Sequence, residues 1–331
     1  MDYRSLPKIE LHLHLDCSLS YKVVQQINPA ITLEEYRDSF IAPPKCTDLN
    51  DYLTRAVKGF ELMQTREQLR WVTLDLFEQL KVDQVIYAEI RFAPLLHIAG
   101  GLDPATVVQT VNDAVSEGIV STGVEAGLIL CTLRHYNEAQ SLETIRLAEQ
   151  FKGTHVLGFD IAGDEAGYPV TAHIKAFELA QELGIPCTAH AGEASGPDSV
   201  KKTLQCFHPS RIGHGVRSAE DPALLDQLKA NDIHLEVCPT SNVQTNIVDT
   251  IADHPLDRIY RHGVSMSLNT DCRTISDVNL SSEYQLVEAV FQWKKEDFLH
   301  CNLEAIQHAF CDDVLKEKLR KAILSAYSSA E

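Results

Sequence analysis

No apolar run in the sequence approaches the ~18 residues that a membrane-spanning helix needs. No positively charged stretch followed by an apolar one opens it, so a secretory leader is not expected. The nine cysteines form no C-x-x-C pair, and their number is odd. A disulfide framework is therefore not expected, and reduced thiols in the cytoplasm are. Positive charge is scarce: 29 Lys and Arg stand against 47 Asp and Glu, a net charge of −18. That argues against a nucleic-acid or anionic-membrane partner and suits a small neutral or cationic molecule. Repeats, low-complexity tracts and linkers are also missing. With 44% hydrophobic residues over 331 positions, the chain has ample material for one large core, and residues 1–331 are read as a single domain.

Short apolar segments ending in polar residues alternate with amphipathic helical patterns. The candidate strands are 8–15, 85–94, 124–134, 156–163, 186–193, 211–216, 234–242 and 264–271. Helical patterns separate most of them, as at 141–151, 171–183 and 222–231. Strand–helix alternation of this length predicts an α/β chain folded as a (β/α)8 TIM barrel. The rival is an open doubly wound sheet, but no G-x-G-x-x-G follows the first strand. Two regions exceed a minimal barrel. Residues 16–84 follow the first strand and look helical at 51–63 and 66–82, placed to cap a site or line its entrance. Residues 281–293, 302–310 and 313–327 add helices at the C-terminus.

Chemistry-bearing residues collect where the strands end. In Glu10-Leu11-His12-Leu13-His14-Leu15-Asp16 the period of two puts His12, His14 and Asp16 on one face and the leucines on the other. Two imidazoles at i and i+2 can share a metal ion, or they can be hydrogen-bonded core histidines. His190-Ala191-Gly192-Glu193 adds a third imidazole and a carboxyl group placed for acid–base work, although a single Glu is more often an ordinary loop residue. His214 lies between Gly213 and Gly215, with little to shield it from a ligand; its bland reading is packing at a barrel rim. Ser265, Ser267, Asn269 and Asp271 share a face by the same period, and Asp271 can supply an oxygen ligand or simply cap a turn. Taken together, these groups fall on the face where barrel enzymes keep their sites. His12, His14, His190 and Asp271 suit one zinc ion with room for a water.

At these residues the sequence resembles the adenosine deaminase family, within the amidohydrolase group of metal barrels. The stretches that carry the likeness are 7–16, 158–165, 190–193, 211–216, 236–242 and 267–271, in the family's order. The resemblance implies that His12, His14, His190 and Asp271 bind one zinc ion per chain. It implies that Glu193 protonates the purine at N1 and that His214 orients or polarises the attacking water. It places His14 and Asp16 against the substrate, with Asp16 on a ribose hydroxyl and the Gly163 backbone on purine N3. Relatives with two metals use a Lys near the end of strand four, and 156–163 contains none. Two positions depart from the family: Cys17 stands where a Gly is usual. Cys272 stands where a second Asp normally meets purine N7.

The implied reaction is hydrolytic deamination of a 6-aminopurine nucleoside, most simply adenosine or deoxyadenosine, to inosine and ammonia. Water attacks C6, Glu193 protonates N1, and His214 and Asp271 can take and hold the released proton. The partner is a small purine nucleoside; oligomeric state is not legible. An N6-substituted adenine or an aminodeoxyfutalosine-like nucleoside is the alternative substrate. A different amidohydrolase, opening a cyclic amide, would need the metal but not Glu193. A catalytically dead zinc-binding relative would lack a ligand, Glu193 or His214, and none is missing. The H-x-E with P-C-x-x-C signature of the nucleobase-editing zinc deaminases is absent.

Overall fold

The structure is a computed structural model and describes residues 3–329. Eight parallel strands alternate with helices: β1 (Lys8–His14), β2 (Val85–Phe92), β3 (Glu125–Leu133), β4 (Val156–Ala162), β5 (Thr188–Ala191), β6 (Arg211–His214), β7 (His234–Val237) and β8 (Met266–Leu268). They form two four-stranded sheets, β1–β4 and β5–β8. Isolated parallel bridges join the sheets at both seams, Phe159 with Cys187 and Leu13 with Asp271. The arrangement is the α/β barrel expected from the strand–helix alternation.

The helix starts are written in the residues. Asp103-Pro104 and Asp221-Pro222 each pair a capping carboxylate with a proline at the first helical position. Thr32 with Glu35, and Thr65 with Gln68, close capping boxes. The strand faces follow the period of two: Leu11, Leu13 and Leu15 are fully buried in the main hydrophobic cluster. The opposite faces fill the barrel with polar side chains. Glu89, Arg91, Asp160, Arg211 and Glu236 have no exposed surface.

Several expected boundaries shift. The strand expected at 234–242 stops at Val237, and Pro239–Gln244 is helical; proline cannot donate to a ladder and favours a helix start. The strand expected at 264–271 is continuous only over Met266–Leu268; Asp271, with a left-handed backbone (φ 63°), pairs with β1 through an isolated bridge to Leu13. The strand expected at 186–193 is Thr188–Ala191, since Gly192 turns at φ 69°. At the C-terminus the helices run Leu280–Phe291, Lys295–His308 and Asp313–Ser329.

The insertion after β1 carries helices Leu49–Glu61 and Arg66–Val82. The first begins two residues earlier than its pattern suggested, because Asp48 caps it through the Asp51 N–H at 2.9 Å. Gly59 lets this helix lie against the turn Leu15–Cys17 (a methyl there would collide with the Asp16 carbonyl oxygen). The helix thereby roofs the carboxyl end of β1. No described helix is long and apolar enough to cross a membrane.

One side chain stitches the β8–β1 seam. Asn269 Oδ1 accepts from the backbone N–H of Leu11 (2.8 Å) and His12 (3.1 Å). Its Nδ2 donates to Ser267 Oγ at 3.1 Å. Asn269→Ala leaves two buried backbone donors without partners and lowers the unfolding free energy by about 2–4 kcal/mol. Urea denaturation measures this; a loss below about 0.5 kcal/mol contradicts the seam role.

Candidate active site

The expected site residues converge at the carboxyl ends of the strands. His12 and His14 come from β1, His190 from β5, His214 from β6, and Asp271 from the turn after β8. Ligand atoms of His12, His190, His214 and Asp271 lie within 4.8 Å of one another. His14 joins them from another side: its Nε2 is 3.2 Å from His190 Nε2 and 3.4 Å from Asp271 Oδ1. His12 Nε2 is 3.3 Å from the same carboxylate oxygen.

A layer behind these residues fixes which ring atom faces the cluster. His12 Nδ1 lies 2.8 Å from Glu236 Oε2, and His190 Nδ1 lies 3.1 Å from Asp160 Oδ2. A carboxylate only accepts, so each Nδ1 carries a proton, and in the neutral ring each Nε2 presents a lone pair. Arg91 compensates both acids, reaching Asp160 Oδ2 at 2.8 Å and Glu236 Oε2 at 2.7 Å. Arg211 Nε holds Glu236 Oε1 at 2.7 Å. Ser241 Oγ donates to Asp271 Oδ2 at 2.7 Å, leaving Oδ1 toward the imidazoles.

The donor set fits a metal ion on two independent grounds. The buried His12 Nε2 makes no hydrogen bond of good geometry, although Asp271 Oδ1 lies 3.3 Å away. Burial also pushes His14 down to about 3 and His190 below the usual imidazole range, so both are neutral, as ligation requires. Gly213 leaves the room: a methyl there would lie 2.9 Å from His12 Cε1.

Glu193 stands beside this cluster, its Oε2 3.6 Å from His214 Nε2. Burial pushes its carboxyl well above the usual range, and neighbouring Asp271 and Glu165 add to the rise. Glu165 also builds the turn. Its carboxylate accepts from the N–H of Gly192 (2.8 Å), Glu193 (3.0 Å) and Ser195 (2.9 Å). Asp271 behaves oppositely: burial opposes its ionisation, but His12, His214 and His14 hold it well below the carboxylate range. Two carboxyl groups of opposed tendency within one site are an acid–base arrangement.

All of this opens on a cavity of about 430 Å³. His14, Asp16, Gly163, His190, Glu193, His214, Asp271 and Cys272 line it, and His12 lies buried in the cluster of ligand atoms without lining the cavity. Gly163 has a left-handed backbone (φ 96°). Leu53 and Phe60 of helix Leu49–Glu61 cover the far side. Cys272 is buried in a small apolar cluster with Cys17 and Tyr52. Arg273 and Asn269, its polar neighbours, are engaged elsewhere: Arg273 Nη2 binds Glu10 Oε2 at 2.6 Å, and Asn269 holds β1. No Lys or Arg is among the described residues lining the cavity.

The adenosine deaminase family profile matches residues 7–326. The chain belongs to the adenosine deaminase family. It is 36% identical over 330 residues to an adenosine deaminase of Enterococcus faecalis, with 98% of each chain covered. It is 37% identical over 331 residues to one of Haemophilus ducreyi, with 96% of each covered. Among solved structures, an adenine deaminase from Arthrobacter aurescens is 26% identical and matches with a TM-score of 0.90, over 98% of this chain and 100% of that one. Family membership makes the chain a hydrolytic deaminase.

Asp160, Glu165, Glu236, Ser241 and Asn242 lie inside the stretches that carried the resemblance, yet sequence reasoning gave them no role. Part of the signal was available: Asp160 is the one charged residue of the otherwise apolar β4, and a strand buries a charge only when it is paired. Asp160→Asn keeps an acceptor for His190 but removes the charge behind it. Metal affinity, measured with added zinc by competition with a chromophoric chelator, is expected to fall about 10- to 100-fold. Unchanged affinity contradicts the assignment.

Proposed function

We propose that the chain hydrolyses the 6-amino group of adenosine or deoxyadenosine, releasing ammonia and leaving the 6-oxopurine nucleoside. One observation carries the reading: His14, His190, Asp271, Glu193 and His214 line a single cavity, and the buried His12 belongs to the same cluster of ligand atoms. His12, His14, His190 and Asp271 would hold one zinc ion, which supplies Lewis acidity and makes water nucleophilic near neutral pH. Zinc suits three imidazoles and one carboxylate.

The remaining chemistry belongs to side chains of this protein. Glu193 keeps its proton because it is buried beside two other acids, so it has one to give to N1 as water adds to C6. Ionised Asp271 accepts the proton that the water releases. His214 orients that water. Asp16 meets a sugar hydroxyl, the Gly163 backbone meets N3, and His14 borders the sugar. Cys272 faces the N7 edge, since Arg273 and Asn269 are committed elsewhere. A lining without Lys or Arg favours a nucleoside over a nucleotide. The protein is proposed to work in the cytoplasm as a single catalytic domain. An N6-substituted adenine nucleoside is the second reading, supported by the apolar wall of Leu53 and Phe60 on the roof helix.

A panel of adenosine, deoxyadenosine and N6-methyladenosine, followed by formation of the 6-oxopurine nucleoside, tests the proposal. Adenosine is expected to give the highest kcat/KM, and no 6-oxopurine product from any member contradicts it. In the same panel 7-deazaadenosine stays within about 10-fold of adenosine, because a thiol is a weak donor and the contact it offers N7 is small. A loss of several hundredfold would place a strong donor at N7. Glu193→Gln lowers kcat at least about 100-fold with one zinc per chain retained, as loss of a general acid requires. Near-normal turnover would assign the N1 proton to another group.

A further inference from the structure

Behind His214 runs a line of buried polar groups that the reaction does not itself touch. The backbone N–H of Leu256 donates to His254 Nδ1 at 3.1 Å. His254 Nε2 lies 3.2 Å from Asn242 Oδ1. Asn242 Nδ2 lies 3.1 Å from His214 Nδ1. Exposure is 3% at His254, 0% at Asn242 and 1% at His214, so no solvent competes with these contacts.

The direction of every bond in this line follows from its first member. A backbone N–H can only donate, so His254 Nδ1 accepts and carries no proton. Burial holds the His254 imidazole down at about 3, so the ring is neutral and its single ring proton sits on Nε2. That N–H donates to Asn242 and thereby assigns the oxygen end of the amide. The other end is an NH₂ group and donates to His214 Nδ1. With Nδ1 accepting, a neutral His214 carries its proton on Nε2, the atom that faces Glu193 and the metal-binding cluster.

We propose that His254 is a positioning residue which, through Asn242, fixes the proton of His214 on Nε2. The proposal deepens the functional reading above and rests on it for the role of His214. It separates His214 from His12 and His190. His12 and His190 have carboxylates behind them and present lone pairs forward; His214 has an amide donor behind it and presents an N–H. His214 is therefore a hydrogen-bond donor to the attacking oxygen and not a metal ligand, although its Nε2 lies close to the ligand atoms. Both of its ring nitrogens are committed. The proton leaving the water thus goes to Asp271, which refines the expectation that His214 shares in taking it.

The arrangement also explains a local cost. His214 adopts a left-handed backbone (φ 61°) between two glycines, and Gly215 follows with φ 66°. A non-glycine residue held there is strained. The Asn242 contact lies at the far side of the ring and keeps the side chain turned to the cavity.

Nitrogen-15 spectra of the histidine rings in the zinc-loaded enzyme read the tautomer directly. His214 is expected to show a protonated Nε2 and a bare Nδ1. The reverse pattern in the natural protein overturns the proposal, whatever the substrate proves to be and whether or not any variant folds. His254→Phe removes the donor and frees the Asn242 amide to turn over, so the His214 proton moves to Nδ1. The kcat for adenosine then falls about 10- to 100-fold, while KM stays within about 3-fold and zinc content is unchanged. His254→Gln restores a donor toward Asn242 and recovers most of the loss. A folded His254→Phe enzyme with the natural His214 spectrum and natural kcat overturns the relay. Failure of every 6-aminopurine in the substrate panel would instead overturn the functional reading, and the ring spectra would still decide the tautomer.

Discussion

Charge buried at the centre of the barrel is the constraint on which the site depends. Arg91, Asp160, Glu236 and Arg211 have no exposed surface, and an unpaired charge there would cost several kcal/mol. Arg91 bridges Asp160 and Glu236, while Arg211 joins Glu236 to Glu89 across 2.6 Å. The pairing is not mainly a source of stability, since apolar residues could fill the same space. Its product is direction. Each acid accepts a hydrogen bond from the N–H at the back of a histidine, and the front of that ring, when neutral, is left as a lone pair. Two imidazoles are thus pre-set for a metal before any metal arrives.

The backbone does the complementary work. His214 and Asp271 hold left-handed conformations that such residues seldom adopt. Each lies just where its strand gives way to a loop, at the carboxyl face of the barrel. Tight turns at Gly192 and Gly215 bring Glu193 and His214 into the same small volume. Glu165 secures the first turn by collecting three backbone donors, and its negative charge also helps to keep Glu193 protonated. The insertion after β1 then closes the far side with Leu49–Glu61, seated on the Asp16 turn through Gly59.

The alternation of His12 and His14 with buried leucines was legible in the sequence, because a strand's period of two shows without any tertiary knowledge. So were the strand-end positions of His190, Glu193 and His214, each flagged by an adjoining glycine or apolar run. Reading failed where tertiary structure overrode local pattern. The period of two carried the last strand through to Asp271, but the continuous strand stops at Leu268, and Asp271 reaches the site in a left-handed conformation that bridges to Leu13 of β1. His254 was invisible for a different reason. It sits alone in a connecting segment, with no periodicity around it, and acquires meaning only from Leu256 behind it and Asn242 in front. Asp160 was partly visible, as the one charge in the otherwise apolar β4, but its partners lie on other strands, and sequence spacing does not reveal which.

The account stands on the claim that the carboxylate-backed His12 and His190 bind a metal together with His14 and Asp271, while the amide-backed His214 does not. Anomalous diffraction at the zinc edge, on crystals of the zinc-loaded protein, tests this most directly. The account predicts one strong peak per chain, within bonding distance of His12 Nε2, His14, His190 Nε2 and Asp271, with His214 outside the coordination sphere. A peak bonded to His214 Nε2, or none at this cluster in catalytically active crystals, would contradict it.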